Sequence, residues 1–421
     1  MPDFWSRKTK DAGADPSHGS GHALAFISVT VAIDMVGVGI IIPVMPELIK
    51  DLGAQSLGSA ASIGGWLVVA YALMQLIFSP IAGALGDRFG RRPVLLVSLA
   101  GLAIDYFVMA VAPTLLLLFI SRAVAGIAGA TWPVTNAYVA DISDKENRAK
   151  NFGIVSAAGA AGLILGPGIG GLLGEYGVRL PFIVAGILTA ANVIYGVFVL
   201  PESLKEEDRR SFDLTRANPV GGLIQVSGYP KVSGVMAALF TMQLATQALV
   251  VIWAYFTAER FGWSPFERGL SVTFYAILLT AVQGGLTGPF VKKLGETKTA
   301  LLGFGLGLVS YLIFTVADAG WMMYAGIVFG TFGGLVTPAM QAIMTNRVPT
   351  NAQGELQGAI TSVLSVTIVI GPLVMTQLFS YFTAENAPYF PGAPFLASAV
   401  LVSISALLFA FVMRDETKGG A

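Results

Sequence analysis

The stretch GALGDRFGRRP, residues 83–93, places one acidic and three basic side chains in a glycine-rich turn. Apolar runs at residues 63–85 and 94–111 flank it, and each is about long enough to cross a lipid bilayer. Glycine gives the backbone freedom that a tight turn needs. This 83–93 turn is therefore a candidate hinge or gate between two membrane spans. The alternative is a basic loop that only fixes the orientation of the chain in the membrane.

Composition indicates a protein that lies in a membrane over most of its length. Of the 421 residues, 55% are hydrophobic and 12% are charged, and the mean hydropathy is +0.73. Soluble domains carry about a quarter charged residues. About twelve apolar runs of spanning length occur between Ala23 and Met413. These runs are too long and too rarely alternating for a barrel, so the predicted fold class is an all-α membrane protein with twelve transmembrane helices.

Polar segments divide the chain, and the distribution of its bases orients it. Lysine and arginine are about five times as frequent in the loops on the side of the two termini as in the loops on the other side. Because such residues accumulate in cytoplasmic loops, both termini are expected in the cytoplasm. The bases assigned to the outer loops are Lys50, Arg179, Arg260 and Arg268. The predicted segments are a flexible cytoplasmic tail (1–22), a first six-helix bundle (23–202), a cytoplasmic linker (203–231), a second six-helix bundle (232–413) and a second cytoplasmic tail (414–421).

An internal repeat relates the two halves at an offset of 205 residues. Two prolines and a Gly-Pro pair at one offset are unlikely to match by chance, so we predict two pseudo-symmetric bundles with a site between them near mid-membrane. The acids do not repeat, because Leu239, Ser310 and Lys292 stand opposite Asp34, Asp105 and Asp87. The matched pairs are Gly83 with Gly288, Gly129 with Gly334, Pro133 with Pro338, Asp141 with Asn346, and Gly166-Pro167 with Gly371-Pro372.

Several classes of function are disfavoured by what the chain contains. Its 25 basic and 25 acidic residues cancel, which gives no sign of a nucleic-acid partner. It has no cysteine, and its two histidines, His18 and His22, lie in the N-terminal tail. We therefore predict no cofactor and no metal site within the membrane. A membrane-embedded enzyme, the alternative from another class, would need a cluster of reactive groups that the sequence does not suggest.

Three ionisable groups lie inside predicted spans of the first half. Asp34 is near the centre of the first span, about 15 Å deep at 1.5 Å per residue, and Asp105 is in the third. A carboxylate at such depth is costly and indicates function. Arg122 lies about two turns inside the fourth span. It either reaches one of these acids and stabilises the charged form, or extends to the membrane surface.

The fifth span is rich in small residues. Gly166, Pro167 and Gly170 lie in its second half. Glycines at this density let helices approach closely, and a proline inside a helix permits a bend. We predict a helix that bends or packs tightly at this point.

The 83–93 turn resembles the signature between the second and third spans of the Major Facilitator Superfamily. The glycines around Pro167 resemble the fifth-span signature of its proton-coupled drug exporters. Similarity to the tetracycline-exporter branch extends over nearly the whole chain. The residues that carry it include Asp34 with Gly37 and Gly39, Tyr71, Gln75, Asp105 with Tyr106, Arg122, Gly126, Gly129, Gln243, Gln247, Pro338, Gln341 and Gly371 with Pro372.

The resemblance implies roles for residues of the first half. Asp34 and Asp105 would couple transport to protons, with Arg122 as the basic residue of the fourth span. Asp87 and Arg88 would latch a cytoplasmic gate against the second bundle. The implied gate consists of Gly83, Asp87, Arg88, Gly90, Arg91 and Asp141, with Arg91 near Asp141.

The chain also departs from the tetracycline-exporter pattern. Leu279 and Gly307 stand where those exporters carry a histidine in the eighth span and an acid in the ninth. Gly86 replaces a usual serine before Asp87. These departures affect the identity of the drug and leave proton coupling in the first half intact.

The expected function is a proton-coupled antiporter of the bacterial inner membrane that exports a drug or small amphiphile by alternating access. Tetracycline is one candidate, the substrate is either free drug or its metal chelate, and the protein is expected to act as a monomer. The alternative transporter is a proton symporter for a sugar or organic acid. The predicted substrate-binding residues, which could instead form hydrogen bonds between helices, are Tyr71, Gln75, Trp132, Asn136, Gln243, Gln247, Trp253, Gln283 and Gln341.

Overall fold

The computed structural model describes residues 16–144, 146–210, 229–349 and 352–418. Within these residues, twelve helical segments are long and apolar enough to cross a membrane, which confirms the predicted fold class. The helices of the first half are α1 (Pro16–Ile41), α2 (Met45–Asp51), α3 (Leu57–Phe89), α4 (Arg91–Val111), α5 (Leu115–Ala128), α6 (Trp132–Asp141), α7 (Arg148–Tyr176) and α8 (Leu180–Val199). Those of the second half are α9 (Pro230–Phe261), α10 (Pro265–Ala281), α11 (Thr287–Leu294), α12 (Glu296–Val316), α13 (Gly320–Phe332), α14 (Val336–Thr345), α15 (Gln353–Phe382) and α16 (Ala393–Lys418).

The first and last helices extend beyond the predicted bundle boundaries, although their apolar spans begin at Ala23 and end at Arg414. The first helix begins at Pro16, where a proline at the start of a helix loses no hydrogen bond. The last helix runs to Lys418, because neither glycine nor proline interrupts the chain between Met413 and that residue. Residues 1–15 and 419–421 lie outside the described part of the chain. Of the predicted linker, residues 211–228 also lie outside it.

The spans at the centre of each half are broken in the same way. The fourth span consists of α5 and α6, which are separated at Gly129–Ala130–Thr131. Its counterpart consists of α13 and α14, separated by a 3-10 turn at Gly333–Leu335. The turns at Gly90 and Gly295 also match, with φ of +102° and +78°, a region that favours glycine. The backbone therefore repeats the offset found in the sequence.

The two bundles contact each other mainly at one end of the molecule. We call the end that carries the 83–93 turn the basic end, and the end that carries α2 the opposite end. Across the bundles, α3 packs against α15 and α7 against α10. Gln377 Nε2 donates to Ser62 Oγ at 2.8 Å, and the Phe266 amide donates to Glu175 Oε1 at 3.0 Å, both at the opposite end.

The apolar cores follow the same division. One core fills the second bundle and continues into the opposite end of the first, where Leu48, Ala60 and Leu67 are fully buried. A separate core lies within the first bundle nearer the basic end and includes Phe26 and Tyr138. Shared packing therefore closes the interface at the opposite end, and the bundles diverge towards the basic end.

Candidate functional site

A cavity of about 280 Å³ lies between the bundles, near the middle of the spans. Its polar side chains all come from the first bundle, apart from Tyr255. The second bundle adds an apolar wall of Val250, Val251 and Ala254 on α9. The polar and aromatic residues of the lining are Asp34, Tyr71, Gln75, Tyr106, Arg122, Thr131, Trp132 and Tyr255.

Asp34 lies on the cavity wall without a compensating partner for one of its oxygens. It is placed in the middle of α1 and is half-buried. Its Oδ1 atom is buried and has no hydrogen-bond partner in the described part of the chain. An unsatisfied buried acceptor of this kind costs about 1–3 kcal/mol. The position is therefore one where a proton or a donor group of a ligand would be stabilising.

Asp105 lies behind the cavity wall and is neutralised by Arg122. The carboxylate is 3% exposed, forms an ion pair with the Arg122 guanidinium and accepts a hydrogen bond from Ser121 Oγ. Arg122 also lies over the ring of Tyr71, at 5.6 Å from the centroid. Arg122 therefore turns into the bundle and does not extend to the membrane surface. The two acids differ, since one faces the cavity and the other is paired.

Gln75 on α3 forms a hydrogen bond to the break between α5 and α6. Its Nε2 donates to the Gly129 carbonyl at 2.9 Å and lies 3.4 Å from the Tyr71 hydroxyl. In the second bundle, Gln283 Nε2 donates in the same way to the Gly334 carbonyl at 3.3 Å. The structure repeats this contact between a glutamine and a broken helix, although only Gln75 lines the cavity.

Six predicted substrate-binding residues lie away from this cavity: Asn136, Gln243, Gln247, Trp253, Gln283 and Gln341. Trp253 is 4% exposed, and its indole N–H donates to Ser271 Oγ at 2.9 Å. It follows Val251 by two positions, about 200° around the helix, and so faces the bundle core. Gln247 is buried against Gly371 of α15. These residues were predicted from their polarity and their depth in the membrane. Neither property shows which face of a helix points into the cavity.

Two tyrosines of the lining, Tyr106 and Tyr255, were not among the predicted site residues. Tyr106 follows Asp105 directly and points to the other side of α4, where its hydroxyl contacts Gly37. Tyr255 lies one turn after Val251 and packs on Gly64. The pair Asp105-Tyr106 was the only signal for either residue.

The predicted gate residues gather around Arg91 at the basic end. Arg91 Nη1 lies 2.6 Å from Asp87 Oδ1, and Arg91 Nε lies 3.4 Å from Asp141 Oδ2. Arg88 is exposed, with its guanidinium 5.1 Å from the Phe89 ring. In this conformation the described contacts of Asp87 lie within the first half of the chain, with Arg91 and Arg210, and the latch against the second bundle stays a prediction.

Glu202, at the end of the first bundle, is hydrogen bonded to the 83–93 turn. Its carboxylate accepts hydrogen bonds from the Arg91 and Arg92 amides at 2.8 and 3.2 Å. An anion is favourable at the start of a helix, and α4 begins here. The second bundle replaces the Arg91–Asp141 pair by Asn346 and Glu296, whose side chains are hydrogen bonded at 3.0 Å.

The glycines of α7 are sites of close helix approach. A Cβ atom at Gly166 would lie 2.7 Å from the Val36 carbonyl of α1. Gly170 meets the backbone at Ile40 in the same way. The helix continues through Pro167. This arrangement fits the close-packing interpretation of the fifth span.

Comparisons with known proteins agree with this geometry. The family model described as Major Facilitator Superfamily matches residues 27–230 and 235–420. A tetracycline resistance protein, class C, of Escherichia coli is 40% identical over 91% of this chain and 95% of its own length. A class H protein of Pasteurella multocida is 33% identical over 94% and 97%.

A solved structure shares the fold over nearly the same length. The bacterial homolog of the human lysosomal transporter Spinster, in an inward-facing and occupied conformation, gives a TM-score of 0.77 at 15% identity, covering 96% of this chain and 98% of that one. The family match covers both bundles, and the relatives match end to end. The chain therefore belongs to the Major Facilitator Superfamily, in the drug/proton antiporter branch of the tetracycline resistance proteins.

Proposed function

We propose that this protein exports tetracycline or a similar amphiphilic drug across the bacterial inner membrane in exchange for protons, as a monomer. The observation that carries the proposal is Asp34 on the wall of a largely apolar cavity, where its Oδ1 atom has no hydrogen-bond partner among the described residues. The names of the relatives support a drug as substrate. The bases at the basic end support its assignment to the cytoplasm, with both termini inside.

The transport cycle starts from the conformation described here, in which the cavity is closed at the opposite end and the bundles diverge towards the basic end. The drug enters from the cytoplasm at the basic end and lies between the polar first bundle and the apolar wall of α9. The bundles then rock, closing the basic end over the 83–93 turn. A proton from outside binds at Asp34, the drug leaves, and the proton is released to the cytoplasm. One proton moving down about 100 mV supplies about 2.3 kcal/mol.

Asp105 and Arg122 take part as a second proton-responsive pair. While Asp105 is ionised, its ion pair holds Arg122 beside Tyr71. Protonation of Asp105 would remove the ion pair and free the guanidinium, which already lines the cavity, to bind the drug. Proton binding is in this way connected to the polarity of the drug site.

The energy source in this proposal is the proton gradient, with no resident cofactor. In the described residues, no group of three or more histidine, aspartate or glutamate side chains is placed to hold a metal ion. In this proposal a chelated metal is part of the substrate. The apolar α9 wall favours an amphiphile whose polar edge faces Asp34.

Inverted membrane vesicles test the proposal. Drug uptake driven by a proton gradient should fall to background in Asp34→Asn and remain unchanged in Asp318→Asn, an exposed acid in the loop after α12. Adding drug should release protons from vesicles that hold the wild type. Full proton-driven transport by Asp34→Asn would refute the role of Asp34, and proton movement in the same direction as the drug would favour the symporter.

A further inference from the structure

An ion pair joins the two bundles at the end opposite the basic turn. Glu47 of α2 receives two hydrogen bonds from the guanidinium of Arg268 at the start of α10. Nη1 lies 3.0 Å from Oε2, and Nη2 contacts Oε1. A two-point contact between arginine and carboxylate is strong and fixes geometry. The sequence had assigned Arg268 only to an outer loop.

The two partners differ in exposure. Arg268 is 1% exposed and is among the largest fully buried side chains. The side chain of Glu47 is 30% exposed. A buried arginine without a counter-charge is costly, whereas a half-exposed glutamate can be hydrated. The pair therefore stabilises the closed end chiefly by neutralising Arg268.

Two neighbouring acids have hydrogen-bond partners of their own, and the charge of Glu175 also acts on Arg268. Glu175 of α7 accepts the Phe266 amide. Glu267 accepts the Ser264 amide at 2.9 Å and caps its own helix. Arg268 Nε donates to the Ser264 carbonyl at 3.2 Å. Glu47 is thus the acid in two-point contact with Arg268, and it comes from the other bundle.

We propose that Glu47 and Arg268 form the latch that closes the cavity at the opposite end and that must break in each transport cycle. The two charges belong to different bundles, so rocking that opens this end separates them and exposes Arg268 to water. The inference rests on the proposed alternating access and adds its outer gate. It complements the 83–93 turn, whose gate lies at the basic end.

The chain has no cysteine, so a single introduced thiol reports opening. Val250 lines the cavity and is 60% exposed, and Val250→Cys serves as the reporter. A membrane-impermeant maleimide is applied to right-side-out and to inverted vesicles without drug. In the reporter background, labelling should be fast from the basic end and slow from the opposite end.

Breaking the latch should raise labelling from the opposite end. In Glu47→Gln the rate should increase at least about tenfold, because Arg268 is left buried and unpaired. Arg268→Met should give a smaller increase, since Glu47 can be hydrated. The double variant Glu47→Gln/Arg268→Met should return to within about threefold of the background, because neither charge remains to be compensated.

Glu267→Gln is the matched control, an exposed acid one residue from Arg268 whose side chain caps its own helix. Its labelling should equal the background. An unchanged rate in Glu47→Gln, an equal increase in Glu267→Gln, or a double variant as fast as the faster single variant would each overturn the latch. If Glu47→Gln does not reach the membrane, Arg268→Met carries the test, and an unchanged rate in that variant would likewise overturn the latch.

The labelling experiment tests the latch independently of which drug the protein transports. Labelling needs no substrate and no proton gradient, so a wrong substrate leaves it unaffected. Conversely, loss of transport in Asp34→Asn together with unchanged labelling in Glu47→Gln would refute the latch and leave the proposed function standing.

Discussion

Asp34 and Asp105 show how residue-scale surroundings separate two acids that look alike in the sequence. Asp34 faces the cavity with an unsatisfied oxygen. Asp105 is enclosed by Arg122 and Ser121. In the proposed cycle the first can take up a proton as the drug leaves, whereas the second must lose its partner before it can respond.

The Arg122–Asp105 pair gives a prediction at this scale. Arg122→Leu or Asp105→Asn alone should destabilise the protein by about 3–5 kcal/mol, because the remaining group is buried without compensation. The double variant should recover most of that loss and still lack coupled transport. Thermal unfolding in detergent and drug-driven proton release measure the two effects. If each single variant unfolds at the wild-type temperature, the pair does not stabilise the fold.

At the scale of helices, the interface depends on close approach between α7 and α10. Gly171 lies against the backbone at Pro265 and Phe266, and a Cβ atom there would lie 3.0 Å from the Phe266 Cα atom. Gly153, on the same helix near the basic end, has nothing within 4 Å of such an atom. The two glycines therefore serve α7 differently.

We expect Gly171→Ala to prevent full closure of the opposite end, because backbone atoms of α10 occupy the space of the methyl group. Transport in inverted vesicles should fall at least about tenfold, as small displacements in a packed interface are costly. Gly153→Ala should transport normally. Equal rates in the two variants would show that the interface accommodates the methyl group.

The whole molecule is two repeats whose symmetry is retained in the backbone and lost in the charges. Both bundles have a broken central span and a glycine turn at the same offset. Yet the charged gate pair Arg91 with Asp141 is matched by Glu296 with Asn346. The proposed rocking motion requires a similar arrangement of helices in each bundle. The proposed proton coupling requires acidic residues in only one bundle.

Orientation can be checked on the intact protein. In a single-cysteine variant, Gln55→Cys at the opposite end should react with an impermeant maleimide in intact cells. Glu207→Cys at the basic end, with a side chain 77% exposed, should react only after permeabilisation. The reverse pattern would place the termini outside and reverse the direction of transport.

The number of spans, the repeat and the depth of the ionisable groups can all be predicted from the amino-acid sequence. Spans are predicted from the hydropathy of about 20 consecutive residues, and the repeat from a fixed offset between positions. Both can be read along the chain without knowledge of its folding. Which polar groups contact each other became known only from the folded structure. Trp253 and Gln247 are packed between helices, Asp105 is paired with Arg122, and Asp34 faces the cavity. Glu47 contacts Arg268, which lies 221 positions further along the chain. The physical reason is that depth follows from position along a helix, whereas contact depends on the helix's rotation and on how the two bundles pack.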